Sequence, residues 1–464
     1  MTEITGRKNV VFLVLDSLRK DRVSVYNDDV EFTDSLQALA DDAVVFDDAV
    51  TQAPWTLPSH ASMFTGLYPW EHGTTHARSY FDGSHETFIT EFADAGYDTA
   101  AITSNIWITP HKGMTDDFDY VENFLGTADN TISQRLSKLS TKLYDSLGTL
   151  PKRVIGRQLD RAFRLFGVDD SCKSEETVAA VESYLDAQPA EDPFFCYVNL
   201  MEPHEPYHPP AEYLDKHGVS DTSSIPQRQK DMFTMDDPDF EALRRIYDAS
   251  VDYTDNLVGR ITDSLAANDL ANDTVVVVLS DHGQALGESE GLFGHQFTTA
   301  DPVIETVLFV DHPDLDGDHR EEPFELRRLH DLVPYYAGLE PKPDEVVADT
   351  VRGGCEFPEN FTGYIPSDAW DEYYRKHRYL IRDGTTVRKS VDEDGNARYQ
   401  ATHRETGESV AVSDELREAV DAIDSGTAVD HGADADDQPG EPDDRPEEAA
   451  DEEIQDRLEA LGYR

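Results

Sequence analysis

The stretch Asn-Val-Val-Phe-Leu-Val-Leu-Asp at residues 9–16 decides the fold class. Six consecutive apolar residues, three of them valine, precede Asp16. A short unbroken apolar run rich in branched side chains is typical of a strand that is buried on both faces. It therefore predicts a central strand of a parallel sheet that is covered by other structure on both sides.

Runs of the same kind recur along the chain and alternate with helical patterns. The further strand-like runs lie at residues 98–104, 193–200, 273–283 and 306–313. Amphipathic helical patterns separate them, at residues 32–44, 85–96, 174–187 and 239–267. This alternation predicts an α/β fold in which a large, mostly parallel sheet lies between two layers of helices.

The composition restricts the possible partners. The chain has 464 residues, and 95 acidic against 39 basic residues give a net charge of −56. Such a surface repels phosphate groups, so we expect no nucleic-acid partner. A charge of this size is typical of proteins adapted to high salt, where ions screen the repulsion between carboxylates.

The cysteines and the N-terminal segment predict the compartment. The three cysteines lie far apart and show no paired spacing, which is typical of a reducing environment. The apolar run at 10–15 is too short for a signal-peptide core or a membrane span, and Asp16 ends it. We expect a soluble, cytoplasmic protein without a transmembrane segment, and leave its oligomeric state open.

Residues 131–166 form a basic segment in this acidic chain. Leucines and one isoleucine recur there at helical spacing, among eight lysine and arginine residues. We favour a helical insertion whose cations pair with neighbouring carboxylates. The alternative is a contact surface for an anionic substrate or a lipid.

The sequence pattern changes after residue 345, which we take as the end of a large α/β domain at 1–345. Residues 346–423 contain two Asp-Gly turns between short alternating runs, which predict a small α+β subdomain. Residues 424–452 are acidic and nearly without apolar side chains, which predicts a disordered linker. Residues 453–464 predict a short amphipathic helix.

Polar residues follow the predicted strands at the point where each strand ends. These are Asp16, Asn105, His204, Asp281 and His282. The carboxyl ends of parallel strands meet at one edge of a sheet, where ligands bind. Two carboxylates and an imidazole can hold a divalent cation. Taken alone, Asp16 could cap the next helix, and Asp281-His282-Gly283 could form a plain turn.

Thr56 is the most informative residue of the stretch QAPWTLPSHASMFTGLYPWEHG at 52–73. It directly precedes a helical run of small residues. It could cap that helix, because threonine is a common N-cap residue. It could also be a nucleophile at the helix N-terminus, where backbone amides and the helix dipole stabilise anionic oxygen atoms.

Several blocks in the same order resemble the sulfatase family of the alkaline phosphatase superfamily. They are NVVFLVLDSLRKDRVSVY at 9–26, APWTLPSHASMFTGLYPWEHG at 53–73, MEPHEPYHPP at 201–210, YDASVDYTDNLVGRI at 247–261 and VVVVLSDHGQALGESEGLFGHQ at 275–296. The resemblance covers roughly residues 9–340. It implies an alkaline-phosphatase-like fold and an enzyme that hydrolyses sulfuric or phosphoric esters.

The resemblance also implies roles for individual residues. It places one divalent metal ion on Asp16, Asp281 and His282, in contact with the nucleophile Thr56. His204 and His295 match positions that bind the anion or protonate the leaving group. Asn105 and His60 are predicted to bind the substrate.

The chain departs from the sulfatase pattern at four positions. Sulfatases carry Cys or Ser, followed by x-Pro-Ser-Arg, at the position of Thr56, and oxidise it to formylglycine. Threonine cannot form this aldehyde because its β-carbon carries a methyl group, and the arginine is His60 here. Ser17 stands where sulfatases carry a second aspartate, and His282 stands where they carry an asparagine. The lost carboxylate and the added imidazole nitrogen favour Zn²⁺ or Mn²⁺ over Ca²⁺ or Mg²⁺ as the bound metal ion.

The predicted function is metal-dependent hydrolysis of a phosphate, phosphonate or sulfate ester through Thr56, without formylglycine. The substrate would be a small anionic ester, free or carried on a glycan or lipid. Threonine at this position resembles the phosphodiesterases and phospho-group transferases of the superfamily, so a transferase acting on glycans or lipids is one alternative. An inactive descendant that binds anionic glycans is the other.

Overall fold

A computed structural model of the chain describes residues 6–124, 173–356 and 376–423, together with Ile4. Short gaps remain at 77, 190–191, 230, 236, 289–290, 344–346 and 393. The predicted basic insertion at 131–166, the acidic linker at 424–452 and the C-terminal helix at 453–464 lie outside the described residues.

The strands form four sheets in the described residues, with eight, five, three and two strands. They are β1 (Asn9–Leu15), β2 (Val44–Phe46), β3 (Ala49–Val50), β4 (Asp98–Thr103), β5 (Tyr120–Asn123), β6 (Phe194–Leu200), β7 (Thr274–Leu279), β8 (Ala285–Leu286), β9 (Phe293–Gly294), β10 (Glu305–Thr306), β11 (Leu308–Asp311), β12 (Asp318–Arg320), β13 (Phe324–Glu325), β14 (Val351–Cys355), β15 (Lys376–Arg382), β16 (Thr385–Val391), β17 (Ala397–His403) and β18 (Ser409–Val410).

The large sheet has eight strands in the order β12-β2-β11-β7-β1-β6-β4-β5. Strands β7, β1, β6, β4 and β5 are parallel neighbours, whereas β11 runs against β7 and β2. The predicted mostly parallel sheet is therefore confirmed. Strand β1 lies at its centre, as its unbroken apolar run predicts.

Helices cover both faces of this sheet. They are α1 (Asp34–Ala40), α2 (Thr56–Thr65), α3 (Pro69–His72), α4 (Phe88–Asp94), α5 (Ser174–Asp186), α6 (Ala211–Lys216), α7 (Asp231–Thr234), α8 (Phe240–Ala267), α9 (Asp301–Ile304), α10 (Leu329–Tyr336) and α11 (Asp414–Ala422). Helices α1, α4, α5 and α8 lie within the four predicted helical patterns.

Alternate residues of β1 belong to two separate hydrophobic cores. Val10, Phe12 and Val14 pack with α2, α4 and α10 on one face of the sheet. Val11 and Leu13 pack with α1, α5 and α8 on the other face. All five side chains are completely buried. Burial on both faces fixes the strand in the middle of the molecule and holds its carboxyl end in place.

The second sheet contains five antiparallel strands in the order β14-β15-β16-β17-β18. Helix α11 packs on it through Val420, which contacts a core that includes Leu380 and Val387. Sheet and helix lie within residues 346–423 and form the predicted small α+β subdomain. The exact domain boundary stays a prediction.

Two more observations apply to the described residues only. Among them there is no helix with the length and apolar character that crossing a membrane requires. Cys196 and Cys355 are buried free thiols.

Candidate active site

The carboxyl ends of four neighbouring strands carry the polar residues that the sequence singles out. Asp16 follows β1, Asn105 follows β4, His204 follows β6, and Asp281 with His282 follows β7. Asp16, Asp281 and His282 converge: one potential ligand atom from each lies within 4.8 Å of the others. All three side chains are completely buried.

Ser17 sets the orientation of the two carboxylates. Its backbone has a φ of 60°, in the left-handed region that residues other than glycine rarely adopt. In this conformation its amide donates to Asp281 Oδ1 at 3.2 Å, and its hydroxyl donates to Asp16 Oδ1 at 3.0 Å. The backbone amide of His282 donates to the same Asp281 oxygen at 3.0 Å.

The imidazole of His282 points one nitrogen into the same space. Its Nδ1 donates to the carbonyl oxygen of Gly283 at 2.9 Å, which leaves the lone pair on Nε2. That Nε2 lies 3.5 Å from Asp281 Oδ2 and 3.9 Å from Asp16 Oδ1. Burial lowers the pKa of His282, so the ring is held in the neutral form that binds a cation.

Thr56 is the first residue of α2 and does not cap it. Trp55 occupies the N-cap position, and its side chain accepts no hydrogen bond there. The Thr56 hydroxyl instead donates to Asp16 Oδ2 at 3.4 Å and lies 3.5 Å from His282 Nε2. Ser59 Oγ donates to the carbonyl oxygen of Asp281 at 2.8 Å and thereby fixes α2 against the loop after β7. The geometry therefore speaks against the capping interpretation of Thr56.

The two buried carboxylates fit a cation. Burial raises the pKa of Asp281 to about 7, and burial with the nearby charge of Asp281 raises that of Asp16 to about 6. Among the described residues no hydrogen-bond donor contacts Asp281 Oδ2, although this oxygen is fully buried. Leaving a buried anionic oxygen unpaired is costly unless a positive charge compensates it. Two oxygen ligands and one imidazole suit a divalent transition metal.

Asn105 contacts the site through Asp16. Its Nδ2 donates to Asp16 Oδ2 at 2.7 Å, and its Oδ1 accepts from the amide of Trp107 at 2.8 Å. Both ends of the amide therefore have partners within the protein. The structure favours a role in orienting Asp16 over the predicted contact with substrate.

His60 lies behind Thr56, one turn further along α2. Its Nδ1 donates to the carbonyl oxygen of Thr56 at 2.8 Å, and its Nε2 accepts from the hydroxyl of Tyr197 at 2.9 Å. The side chain is completely buried, and burial lowers the pKa of His60 to about 3. A neutral ring with both nitrogens engaged holds the first turn of the helix. The structure thus favours this supporting role over the predicted substrate contact.

His204 and His295 form a second group beside the first. Their ring centroids lie 5.2 Å apart, and the ring of His295 lies 4.3 Å from that of His282. Burial would lower the pKa of His204, but the carboxylates of Glu205 and Asp16 outweigh it and raise this pKa. Burial and the neighbouring His282 lower the pKa of His295.

Sequence reasoning missed Glu205 and Gln284. Glu205 is 8 % exposed and lies beside both histidines, and Gln284 contacts Glu205 and His295. Each directly adjoins a block with a predicted site residue, since Glu205 follows His204 and Gln284 follows Asp281-His282-Gly283. The position of Glu205 and Gln284 next to predicted site residues was the available signal, but neighbourhood in sequence does not show which way a side chain points.

The model of the sulfatase family matches residues 8–334 of the chain. The chain belongs to the sulfatase family. Membership places it among the enzymes that hydrolyse esters. The matched region begins just before β1 and ends within α10, so it contains every site residue described above.

Two curated relatives resemble this sulfatase-family protein at low sequence identity. It is 23 % identical over 414 residues to the uncharacterized sulfatase YidJ of Escherichia coli, covering 78 % of this chain and 77 % of the relative. It is 26 % identical over 357 residues to an ulvan-active sulfatase of Formosa agariphila, covering 72 % of this chain. The matched part is 61 % of that relative, which is less than two thirds of its length.

A solved structure confirms the fold. The phosphonate monoester hydrolase of Agrobacterium radiobacter superimposes with a TM-score of 0.63 at 17 % identity, over 90 % of this chain and 94 % of that one. At this identity the likeness shows the alkaline-phosphatase-like fold alone.

Proposed function

We propose that this sulfatase-family protein is a cation-dependent hydrolase that cleaves a phosphate or phosphonate ester by covalent catalysis through Thr56. One observation carries the proposal. The Thr56 hydroxyl is buried at the start of α2 and faces Asp16 Oδ2 at 3.4 Å and His282 Nε2 at 3.5 Å. A hydroxyl that only stabilised the helix would face the backbone instead.

The candidate ligands of the cation are Asp16, Asp281, His282 and Thr56. They fit it because two fully buried carboxylates and the lone pair of a neutral imidazole converge there, and Asp281 Oδ2 has no hydrogen-bond donor in the part of the chain that the structure describes. When bound, a divalent ion lowers the pKa of the Thr56 hydroxyl and neutralises charge on the ester. Nitrogen ligation favours Zn²⁺ or Mn²⁺.

In the first chemical step, Thr56 Oγ1 forms a bond to phosphorus while the bond from phosphorus to the leaving oxygen breaks. The hydroxyl proton has an acceptor in Asp16 Oδ2, to which it already points. His60 and Ser59 hold the first turn of α2, so that the oxygen atom does not move away from the reacting centre. The backbone amides of that turn stabilise the phosphoryl oxygens.

His204 and His295 supply two further imidazole groups, next to His282. The raised pKa of His204 makes it the better proton donor to the leaving oxygen. The lowered pKa of His295 keeps that ring neutral. Direct contact between these rings and the ester is the role that the sequence resemblance implies.

The second step distinguishes phosphorus from sulfur. An ester of Thr56 has no geminal hydroxyl that could expel the oxyanion by breaking the bond between carbon and oxygen. Water must therefore attack the central atom, the Thr56 oxygen leaves, and the enzyme is regenerated. Phosphorus accepts a fifth ligand more readily than the sulfur of a sulfate ester. We therefore infer a preference for phosphorus esters, free or carried on a glycan or lipid.

A panel of aryl esters tests this inference. We expect kcat/KM for bis(4-nitrophenyl) phosphate or 4-nitrophenyl phenylphosphonate to exceed that for 4-nitrophenyl sulfate by at least about tenfold. The assay follows 4-nitrophenol release with Mn²⁺ or Zn²⁺ in multimolar KCl, which screens the net charge of −56. Faster hydrolysis of the sulfate than of every phosphorus ester would contradict the preference.

A further inference from the structure

The block YDASVDYTDNLVGRI at 247–261 belongs to helix α8 and contains none of the residues proposed above for catalysis. Two of its polar side chains join helices to one another. Asp255 accepts from backbone amides at the start of α1, and Arg260 donates to carboxylates of α5. Tyr247, the first residue of the block, instead contacts the loop that follows β1 and Asp16.

The hydroxyl of Tyr247 bonds to the backbone of two residues in that loop. It donates to the carbonyl oxygen of Ser17 at 2.8 Å and accepts from the amide of Arg19 at 2.8 Å. The tyrosine is completely buried. A buried carbonyl oxygen or amide that loses its partner is costly, so these two bonds stabilise one conformation of the loop.

Ser17 connects this contact to the candidate cation site. Its φ of 60° is disfavoured for a residue with a β-carbon, so that surrounding contacts must stabilise it. In this conformation its amide donates to Asp281 Oδ1 and its hydroxyl donates to Asp16 Oδ1. A return of Ser17 to an ordinary negative φ would turn the amide away from Asp281.

The side chain of Arg19 joins the same loop to the loop after β7. Its Nη1 donates to the carbonyl oxygen of Gln284 at 3.1 Å and contacts the carboxylate of Glu288. Its Nε and Nη2 donate to the carboxylate of Asp21 at 2.8 and 2.7 Å. Tyr247 holds the backbone from which this side chain extends. The two loops that carry the candidate cation ligands are thereby linked.

We propose that Tyr247 is a positioning residue of the cation site, whose hydroxyl keeps Ser17 in the left-handed conformation and so aligns Asp16 and Asp281 for binding. Hydrogen bonds that orient metal ligands typically change metal affinity by a factor of about 10 to 100. Tyr247 acts through Ser17 and not by contact with the cation. The proposal rests on the proposed function for the cation itself.

The affinity of Tyr247→Phe for Mn²⁺ tests the proposal without any measure of turnover. The substitution keeps the ring and removes only the hydroxyl. Free Mn²⁺ is measured by its electron paramagnetic resonance signal during titration of the full chain in multimolar KCl, which screens the acidic surface. We expect Kd to rise by a factor of about 10 to 100, with the same number of ions bound at saturation.

Tyr97→Phe is the matched control. Tyr97 is 3 % exposed, and its hydroxyl donates to the carbonyl oxygen of Lys8 at 2.9 Å, beside the opposite end of β1. It should keep the wild-type Kd, and thermal unfolding in the same salt verifies that both variants are folded. Equal Kd values in wild type and Tyr247→Phe would overturn this proposal alone. A wild type that binds no Mn²⁺ would overturn the cation site as well.

Substitutions at Ser17 separate positioning from a general loss of packing. Ser17→Gly and Ser17→Ala both remove the hydroxyl, but only glycine adopts a positive φ without the cost of a β-carbon. We expect Tyr247→Phe to raise Kd several-fold less when combined with Ser17→Gly than when combined with Ser17→Ala. Equal factors in the two combinations would contradict the positioning role.

Hydrogen exchange in the wild type gives a readout that needs no variant. If Tyr247 holds the loop, the peptide containing residues 16–20 should exchange slowly both in a chelator and with Mn²⁺ bound. Mass spectrometry after exchange in multimolar KCl measures both states. Fast exchange in the chelator that becomes slow with Mn²⁺ would show that the cation orders the loop, and would overturn the proposal.

Discussion

Thr56→Ala is expected to lower kcat by a factor on the order of 10⁴ or more, with little change in folding stability. The substitution removes the oxygen that forms the covalent bond. It removes no helix cap, because Trp55 and not Thr56 occupies the N-cap position. Steady-state hydrolysis of an aryl phosphorus ester and thermal unfolding of the same preparation measure both effects.

Two companion variants make this result specific. Thr56→Ser keeps the hydroxyl and should retain measurable turnover. Thr65→Ala is the matched control, since Thr65 lies at the other end of α2, is 7 % exposed and donates to the carbonyl oxygen of Ala61 at 2.7 Å. It should keep kcat within a few-fold of wild type. Near-normal turnover in Thr56→Ala would refute the nucleophile assignment.

Asp281→Asn is expected to have opposite effects on activity and on the stability of the cation-free protein. Activity should fall by a factor on the order of 10³ or more, because an uncharged amide is a poor ligand for a divalent cation. Stability in a chelator at pH 8 should rise, because the substitution removes a fully buried carboxylate, one oxygen of which lacks a hydrogen-bond donor among the described residues.

The gain in stability should depend on pH in a defined direction. Burial raises the pKa of Asp281 to about 7, above its value in the unfolded chain. Asp281 therefore binds more protons in the folded protein than in the unfolded chain, and its contribution to stability becomes less favourable as the pH rises from about 4 to 7. The carboxamide that Asp281→Asn introduces does not titrate, so the melting temperature of the variant should exceed that of wild type at pH 8 and approach it near pH 4. Equal melting temperatures at pH 8 would contradict the argument.

The sequence was sufficient to predict the central sheet and the proximity of Asp16 and Asp281. The unbroken apolar runs at 10–15 and 275–279 identify strands that are buried on both faces, and such strands must lie in the middle of a covered sheet. Their carboxyl ends are then neighbours, which brings Asp16 and Asp281 together. Strand β11 shows the limit, because an apolar run does not reveal that its direction opposes that of β7.

The sequence was not sufficient for the direction of individual side chains. His60 and Asn105 follow the expected elements, yet their polar atoms contact Thr56, Tyr197 and Asp16 within the protein. The sequence also did not show that the hydroxyl of Thr56 faces Asp16 and His282. The rotamer of a side chain near a loop depends on contacts with residues that are distant in the sequence. A single sequence does not show which residues make those contacts.

The group of His204, Glu205 and His295 illustrates the same limit. His204 and Glu205 follow β6, whereas His295 follows β9, about ninety residues later. No short spacing marks the group, so the sequence did not show that the three residues lie together. The fold brings the three residues together through Gln284, whose contacts with Glu205 and His295 depend on the loop after β7.

Acid quenching during turnover is the most direct test of covalent catalysis by Thr56. Wild type and Thr56→Ala are mixed with an aryl phosphorus ester in high salt, quenched within the first turnovers, and analysed by intact and peptide mass spectrometry. We expect a phosphoryl adduct in wild type on the peptide that contains residues 52–73, localised to Thr56, and no adduct in Thr56→Ala. An adduct on another residue, or active wild type without any adduct, would contradict covalent catalysis by Thr56.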